Sequence, residues 1–149
     1  MKFIVTKELG RLAKWLRILG YDVEYFDKDT KKGLVLESLK EERIILTRDT
    51  KLPRRAGYRT IHVHSDYFRE QLKNTTKSLG ISPKKDKLFS RCVVCNSELE
   101  QVEKENVKSL VPEYVYNTNE DFSRCKICKR VYWRGTHWGN MEEVVNLLR

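Results

Sequence analysis

The chain has 149 residues, with 30 Lys and Arg against 21 Asp and Glu, for a formal net charge of +9. That length fits one ordinary domain or two small ones, and the 40% hydrophobic content, with three Trp, seven Tyr and five Phe, argues against disorder. No run approaches the roughly 20 apolar residues of a spanning helix; Arg11, Lys14 and Arg17 interrupt the apolar stretch Leu9 to Leu19, which also argues against a secretory signal and leads to the expectation of a cytoplasmic protein with no membrane partner.

Lys2 to Val5 is a short apolar run that reads as a strand. Leu9, Leu12, Ala13, Leu16 and Leu19 recur at helical spacing, and Gly20 ends the pattern. Val23 to Phe26 reads as a second strand and Leu34 to Glu42 as a helix. Ile44-Ile45-Leu46 is a continuous β-rich run, as expected of a strand buried on both faces. Thr60 to Val63 is a fourth strand, and Tyr67 to Leu79 a helix with Asp66 placed to cap it. Strands alternating with helices predict an α/β fold with a parallel sheet and flanking helices.

Residues 80–88 hold a Gly, a Pro and several Lys, and read as a linker between 1–79 and 89–149. The alternation stops there. Short strands around two cysteine pairs predict a β-rich module, closed by a helix over Met141 to Leu148 with Asn140 as its N-cap. Charge divides at the same place: residues 1–79 carry 18 basic and 11 acidic side chains, and residues 80–149 carry 12 and 10. A solvated surface would account for such charge, as would an anionic partner, of which nucleic acid is the usual one.

Cys92-Val-Val-Cys95 and Cys125-Lys-Ile-Cys128 are separated by 29 residues. Each pair sets two thiolates on one tight turn, and two such turns complete a zinc tetrahedron. With four cysteine ligands the zinc has no open position for water, so its role is structural. His137 follows in Tyr132-Trp-Arg-Gly-Thr-His-Trp138 and is not needed as a ligand. Its reading is divided between an aromatic-cluster or surface histidine and an RNA contact with Trp133, Arg134 and Trp138, since aromatics beside cations suit unpaired bases.

On the first helix Lys7, Arg11 and Lys14 share one face, with Arg17 to one side. The stripe is either ordinary amphipathicity or a track for a phosphate backbone. Asp49 follows the third strand in Leu-Thr-Arg-Asp, at the strand end where parallel sheets bind ligands. A carboxylate there either holds Mg2+ or Mn2+, or caps the turn that follows. His62 and His64 flank Val63 and would share one face of a strand; the simplest reading is two strand-end histidines, with a metal or base role open to them.

These residues together resemble the Mut-seven C-terminal RNase domain family, a PIN-like domain followed by a zinc ribbon. The resemblance rests on Leu9 to Asp22, Arg43 to Asp49, Glu70 to Leu72, Arg91 to Asn96 and Cys125 to Trp138, in that order. It implies a ribonuclease that uses Mg2+ or Mn2+, held by strand-end acids, to hydrolyse RNA phosphodiesters. Two family acids are replaced: Thr6 stands at the end of the first strand, and Lys31 and Lys32 lie nearest the position before the second helix. Asp49 alone carries over, with Asp27, Asp29 or Glu8 as substitutes. Three expectations follow. In the first, Asp49 with Asp27 or Asp29 holds the ion, while Arg11, Arg17 and Arg48 neutralise phosphates. In the second, the chain is a catalytically degenerate RNA-binding module. In the third, it is a protein-interaction module whose partner is another protein.

Overall fold

The computed structural model describes residues 1–52, 57–133 and 138–148. Four parallel strands form the first sheet: β1 (Lys2–Thr6), β2 (Asp22–Phe26), β3 (Ile44–Thr47) and β4 (Thr60–His62), in the order β2-β1-β3-β4. Helices α1 (Gly10–Ile18), α2 (Lys31–Glu41) and α3 (Phe68–Leu79) alternate with them, and a 3-10 turn, Lys7–Leu9, joins β1 to α1. The α/β expectation holds.

Strand alternation sorts the core onto two faces. Phe3, Val5, Ile44 and Leu46 meet α1 and α3 through Leu12, Leu16 and Leu72. Ile4 and Ile45 point the other way and meet α2 through Leu34 and Val35. Helix α2 starts three residues before its first periodic residue. Its Thr30 N-cap hydroxyl accepts from Gly33 N–H at 3.2 Å. The first-turn lysines, unfavourable beside the positive end of the helix dipole, hide that start in the sequence.

The second sheet is antiparallel: β5 (Leu99–Val102), β6 (Phe122–Cys125) and β7 (Val131–Trp133), with β6 in the middle. A short helix, α4 (Glu113–Thr118), interrupts it, and α5 (Trp138–Leu147) ends the described chain. Helix α5 begins before Asn140, which therefore falls inside the helix and not at its cap. Its Val144 and Val145 join the core of the first sheet. Asp66 does not cap α3 either. Its carboxylate is drawn to Arg48 at 2.5 Å, and Ser65 Oγ receives the Tyr67 N–H instead.

The two sheets are joined by specific polar contacts. Arg17 is buried, and its guanidinium donates to Val23 O from Nε and Nη2 at 2.9 and 2.7 Å. Its Nη1 donates to Val93 O and Val94 O at 2.9 and 3.2 Å, inside the first cysteine turn. Asn96 completes the junction: its side chain accepts from Val23 N–H at 2.9 Å and donates to Asp22 at 2.7 Å. Gly20 lets the segment 84–90 pass close by, since its φ is +94° and a Cβ there would lie 2.5 Å from Lys87 O.

Candidate functional site

Two places gather chemistry: the cysteine cluster and the carboxyl ends of the parallel strands. The four cysteine Sγ atoms lie within 4.8 Å of one another. Tetrahedral zinc with 2.3 Å bonds would set them about 3.8 Å apart, and Cys92 and Cys128 already stand at 3.6 Å. Both turns have the same geometry. Asn96 and Lys129, each just after the second cysteine, adopt positive φ of 64° and 65°. Their N–H groups reach back to Cys92 O and Cys125 O at 2.9 and 3.0 Å.

Outer contacts orient the sulfurs. Tyr132 OH lies 3.0 Å from Cys92 Sγ, and Ser97 Oγ lies 3.1 Å from Cys125 Sγ. Burial opposes ionisation at Cys125, yet the Ser97 hydroxyl and nearby N–H groups outweigh it and draw the thiol down to about 6. Burial and the neighbouring sulfurs push Cys95 up to about 12. Four sulfurs so close cannot all become thiolates without a cation among them, and a divalent ion supplies that charge. The cysteines are therefore positioned to bind a metal ion, and the donor set fits zinc.

The second place arises from topology. The chain steps from β1 to β2 on one side and then crosses to β3 on the other, with α1 and α2 on opposite faces. Such a reversal opens a crevice at the carboxyl ends of β1 and β3. Thr6 and Thr47 face each other there, with hydroxyls 3.3 Å apart. Thr6 donates to Glu8 Oε1 at 2.5 Å, and Thr47 Oγ1 accepts the Asp49 N–H at 3.0 Å. Asp49 Oδ1 accepts from Lys51 N–H at 2.8 Å, a tight local turn, while Oδ2 pairs with Lys31 Nζ at 3.0 Å. The Lys51 N–H and the Lys31 ammonium hold the Asp49 carboxyl below the usual carboxylate range.

Among the described residues, no three of the strand-end acids Glu8, Asp27, Asp29 and Asp49 lie close enough to share one ion. Asp29 pairs with Lys7, Asp27 is exposed, and Asp49 pairs with Lys31. Among the described residues the four cysteines are the one group of three or more potential ligands close enough to share an ion. A lysine stands where the second acid was sought, and its positive charge opposes a divalent cation while favouring phosphate.

The basic side chains separate. Arg11 is exposed and stacks over the Phe68 ring at 4.3 Å, and Lys14 is exposed near Tyr25. Arg17, expected beside the stripe as a phosphate contact, is instead committed to the sheet junction by burial and three carbonyl partners. Arg48 reaches Ser65 O at 3.1 Å as well as Asp66, tying the β3 end to the loop after β4. Arg134 and His137 lie outside the described residues.

A parallel sheet with a switch-point crevice, locked to four cysteines positioned to bind a metal ion, defines a two-sheet α/β protein. The chain belongs to the Mut7-C RNAse domain family, whose model matches residues 1–145, nearly the whole length. Membership supports an RNA-related role. No curated protein and no solved structure matches it. No described helix is long and apolar enough to cross a membrane.

Proposed function

We propose that this chain binds RNA at the strand-end crevice and does so without a catalytic divalent ion, with zinc in the cysteine centre. The observation that carries this reading is the Lys31–Asp49 ion pair at 3.0 Å, which sets an ammonium group where a nuclease of this family would need a metal. Lys7, Arg11, Lys14 and Arg48 are the cations available to phosphates. The acids paired with Lys7 and Arg48 are 83% and 82% exposed, and such pairs contribute little enough to exchange partners, whereas Asp49 is 33% exposed and also accepts from the Lys51 N–H.

Four phosphate contacts to a single strand give a log–log salt slope near −2.8, so affinity should fall about fifty-fold between about 50 and 200 mM salt. The assay is fluorescence anisotropy of single-stranded RNA in magnesium-free buffer without chelators, which keeps the zinc centre loaded. The double variant Arg11→Glu, Lys14→Glu should weaken binding and flatten the slope by about 1.4. Absence of binding at low salt would overturn the proposal, and co-purification with a protein instead of RNA would support the protein-interaction reading. Family membership keeps a hydrolytic reading in play, in which divalent-metal-dependent phosphodiester hydrolysis depends on Asp49. Manganese-dependent cleavage lost in Asp49→Ala would establish it in place of metal-free binding.

A further inference from the structure

His62 and His64 leave the edge strand β4 on one face, with ring centroids 4.1 Å apart. His62 Nε2 lies 2.6 Å from the carbonyl oxygen of Arg48. A carbonyl can only accept, so Nε2 carries the proton and Nδ1 of the neutral ring is a bare lone pair. That lone pair faces His64, whose Nδ1 and Nε2 stand 2.9 and 3.2 Å away. A proton on His64, a water molecule at this exposed edge, or a cation bound between the rings can satisfy it.

The nitrogen spacing comes within that of a chelate once the exposed His64 ring turns one nitrogen toward the ion, since His62 Nδ1 stands about equally far from both His64 nitrogens. Two imidazole nitrogens, each 2.0–2.1 Å from one ion, are separated by about 2.9 Å at a right angle and about 3.3 Å at the tetrahedral angle. The bond from His62 Nε2 to a backbone carbonyl is also the outer contact that commonly fixes the tautomer and orientation of a metal-binding histidine. Both histidines line a cavity of about 550 Å3 between β4 and α3, with Asn74 and Ser78 on its wall. No carboxylate lines it among the described residues, whereas Arg59 and Lys77 do. Those cations oppose a bare ion but favour one that carries an anionic ligand on its open positions.

We propose that His62 and His64 form a second metal site, distinct from the cysteine centre, for an imidazole-preferring divalent ion such as nickel, copper or zinc. Two protein ligands leave the remaining positions to water or to an anion, phosphate being the chemistry that Arg59 and Lys77 suit. Neutral imidazole favours these ions over magnesium, which prefers oxygen ligands. The site does not depend on the Lys31–Asp49 pair.

The test uses the full chain loaded with one zinc, titrated with nickel chloride in chelator-free buffer. Heat of binding is read by calorimetry, and the imidazole nitrogens by NMR. One saturable nickel per chain is expected, with the His62 and His64 resonances shifted or broadened and no matching response to magnesium chloride. His64→Gln should weaken nickel binding by at least about tenfold, since loss of a mere outer partner already costs 10–100-fold. His62→Gln should do the same, with circular dichroism checking that each variant is folded. Absence of a saturable nickel event, nickel affinity unchanged in His64→Gln, or an equal response to magnesium would overturn the site. RNA affinity measured on the same preparation without nickel reads the proposed function separately, so the two can fail independently.

Discussion

Replacing Arg17 with Met keeps most of the aliphatic stem and removes the guanidinium that joins the two sheets. Three carbonyls lose donors: Val23 O loses two, and Val93 O and Val94 O lose one each. Val23 is fully buried, so its carbonyl stays dry and bears the whole penalty of an unmet acceptor, about 1–3 kcal/mol. Val94 is 52% exposed, so water can replace its lost partner. Val93 is half-buried and falls between the two. The guanidinium also loses hydration on burial, which holds its pKa below the ordinary value; relief of that cost offsets part of the loss. The net expectation is about 2–4 kcal/mol of destabilisation, or roughly 4–16 °C in Tm for a chain of this size. Guanidinium-chloride unfolding of the zinc-loaded protein measures it. A change below about 1 kcal/mol would refute the reasoning and show that Arg17 is a bystander at the junction.

Gly20→Ala places a Cβ 2.5 Å from Lys87 O at a φ of +94°, so thermal unfolding should show a loss of at least about 1–2 kcal/mol. Tyr132→Phe removes the hydroxyl 3.0 Å from Cys92 Sγ and should weaken zinc binding about 10–100-fold in a chelator competition. Stripping the metal altogether should lower the stability of the parallel sheet as well as the ribbon, because Arg17 and Asn96 carry the loss across; hydrogen exchange at Val23 N–H reads this directly. Burial opposes ionisation of Asp22, but hydrogen bonds from Arg43 and Asn96 outweigh it and set its carboxyl below the ordinary 3.8. That contribution is therefore complete above pH 3.8 and is lost as pH falls below it through the folded value; an Asp22→Asn chain should lack this step in acid titrations followed by circular dichroism.

The parallel sheet was legible because its signals are local: the leucine period of α1, the apolar run of β3 and the Gly20 stop all survive in the folded chain. The cysteine centre was legible for the same reason, since ligand spacing within each turn is a sequence property. The junction role of Arg17 was not legible, because it lies beside a basic helix face and nothing nearby in sequence reveals carbonyls 76 and 77 positions away. Asn96 was missed as a junction residue, although a residue tolerant of positive φ just after a cysteine pair is the one signal that marked it. The strand-end acids could be located but not paired. Whether Asp27, Asp29 and Asp49 converge depends on where lysines 7 and 31 place their charges, and a linear reading does not give that.

Helix α5 has a consequence for how the protein comes into being. Val144 and Val145 form part of the wall against which Phe3, Val5 and Leu46 are buried. Phe3 and Val5 thus wait for Val144 and Val145 before their shared interior is closed, although units made earlier ordinarily fold first during synthesis. Until then a gap in the wall beside α1 and α3 stays open, and the cysteine turns, which lie earlier in the chain, can be assembled around metal beforehand. Closure of the parallel sheet therefore follows synthesis of the cysteine module, and a message cut short before residue 144 would leave that gap open.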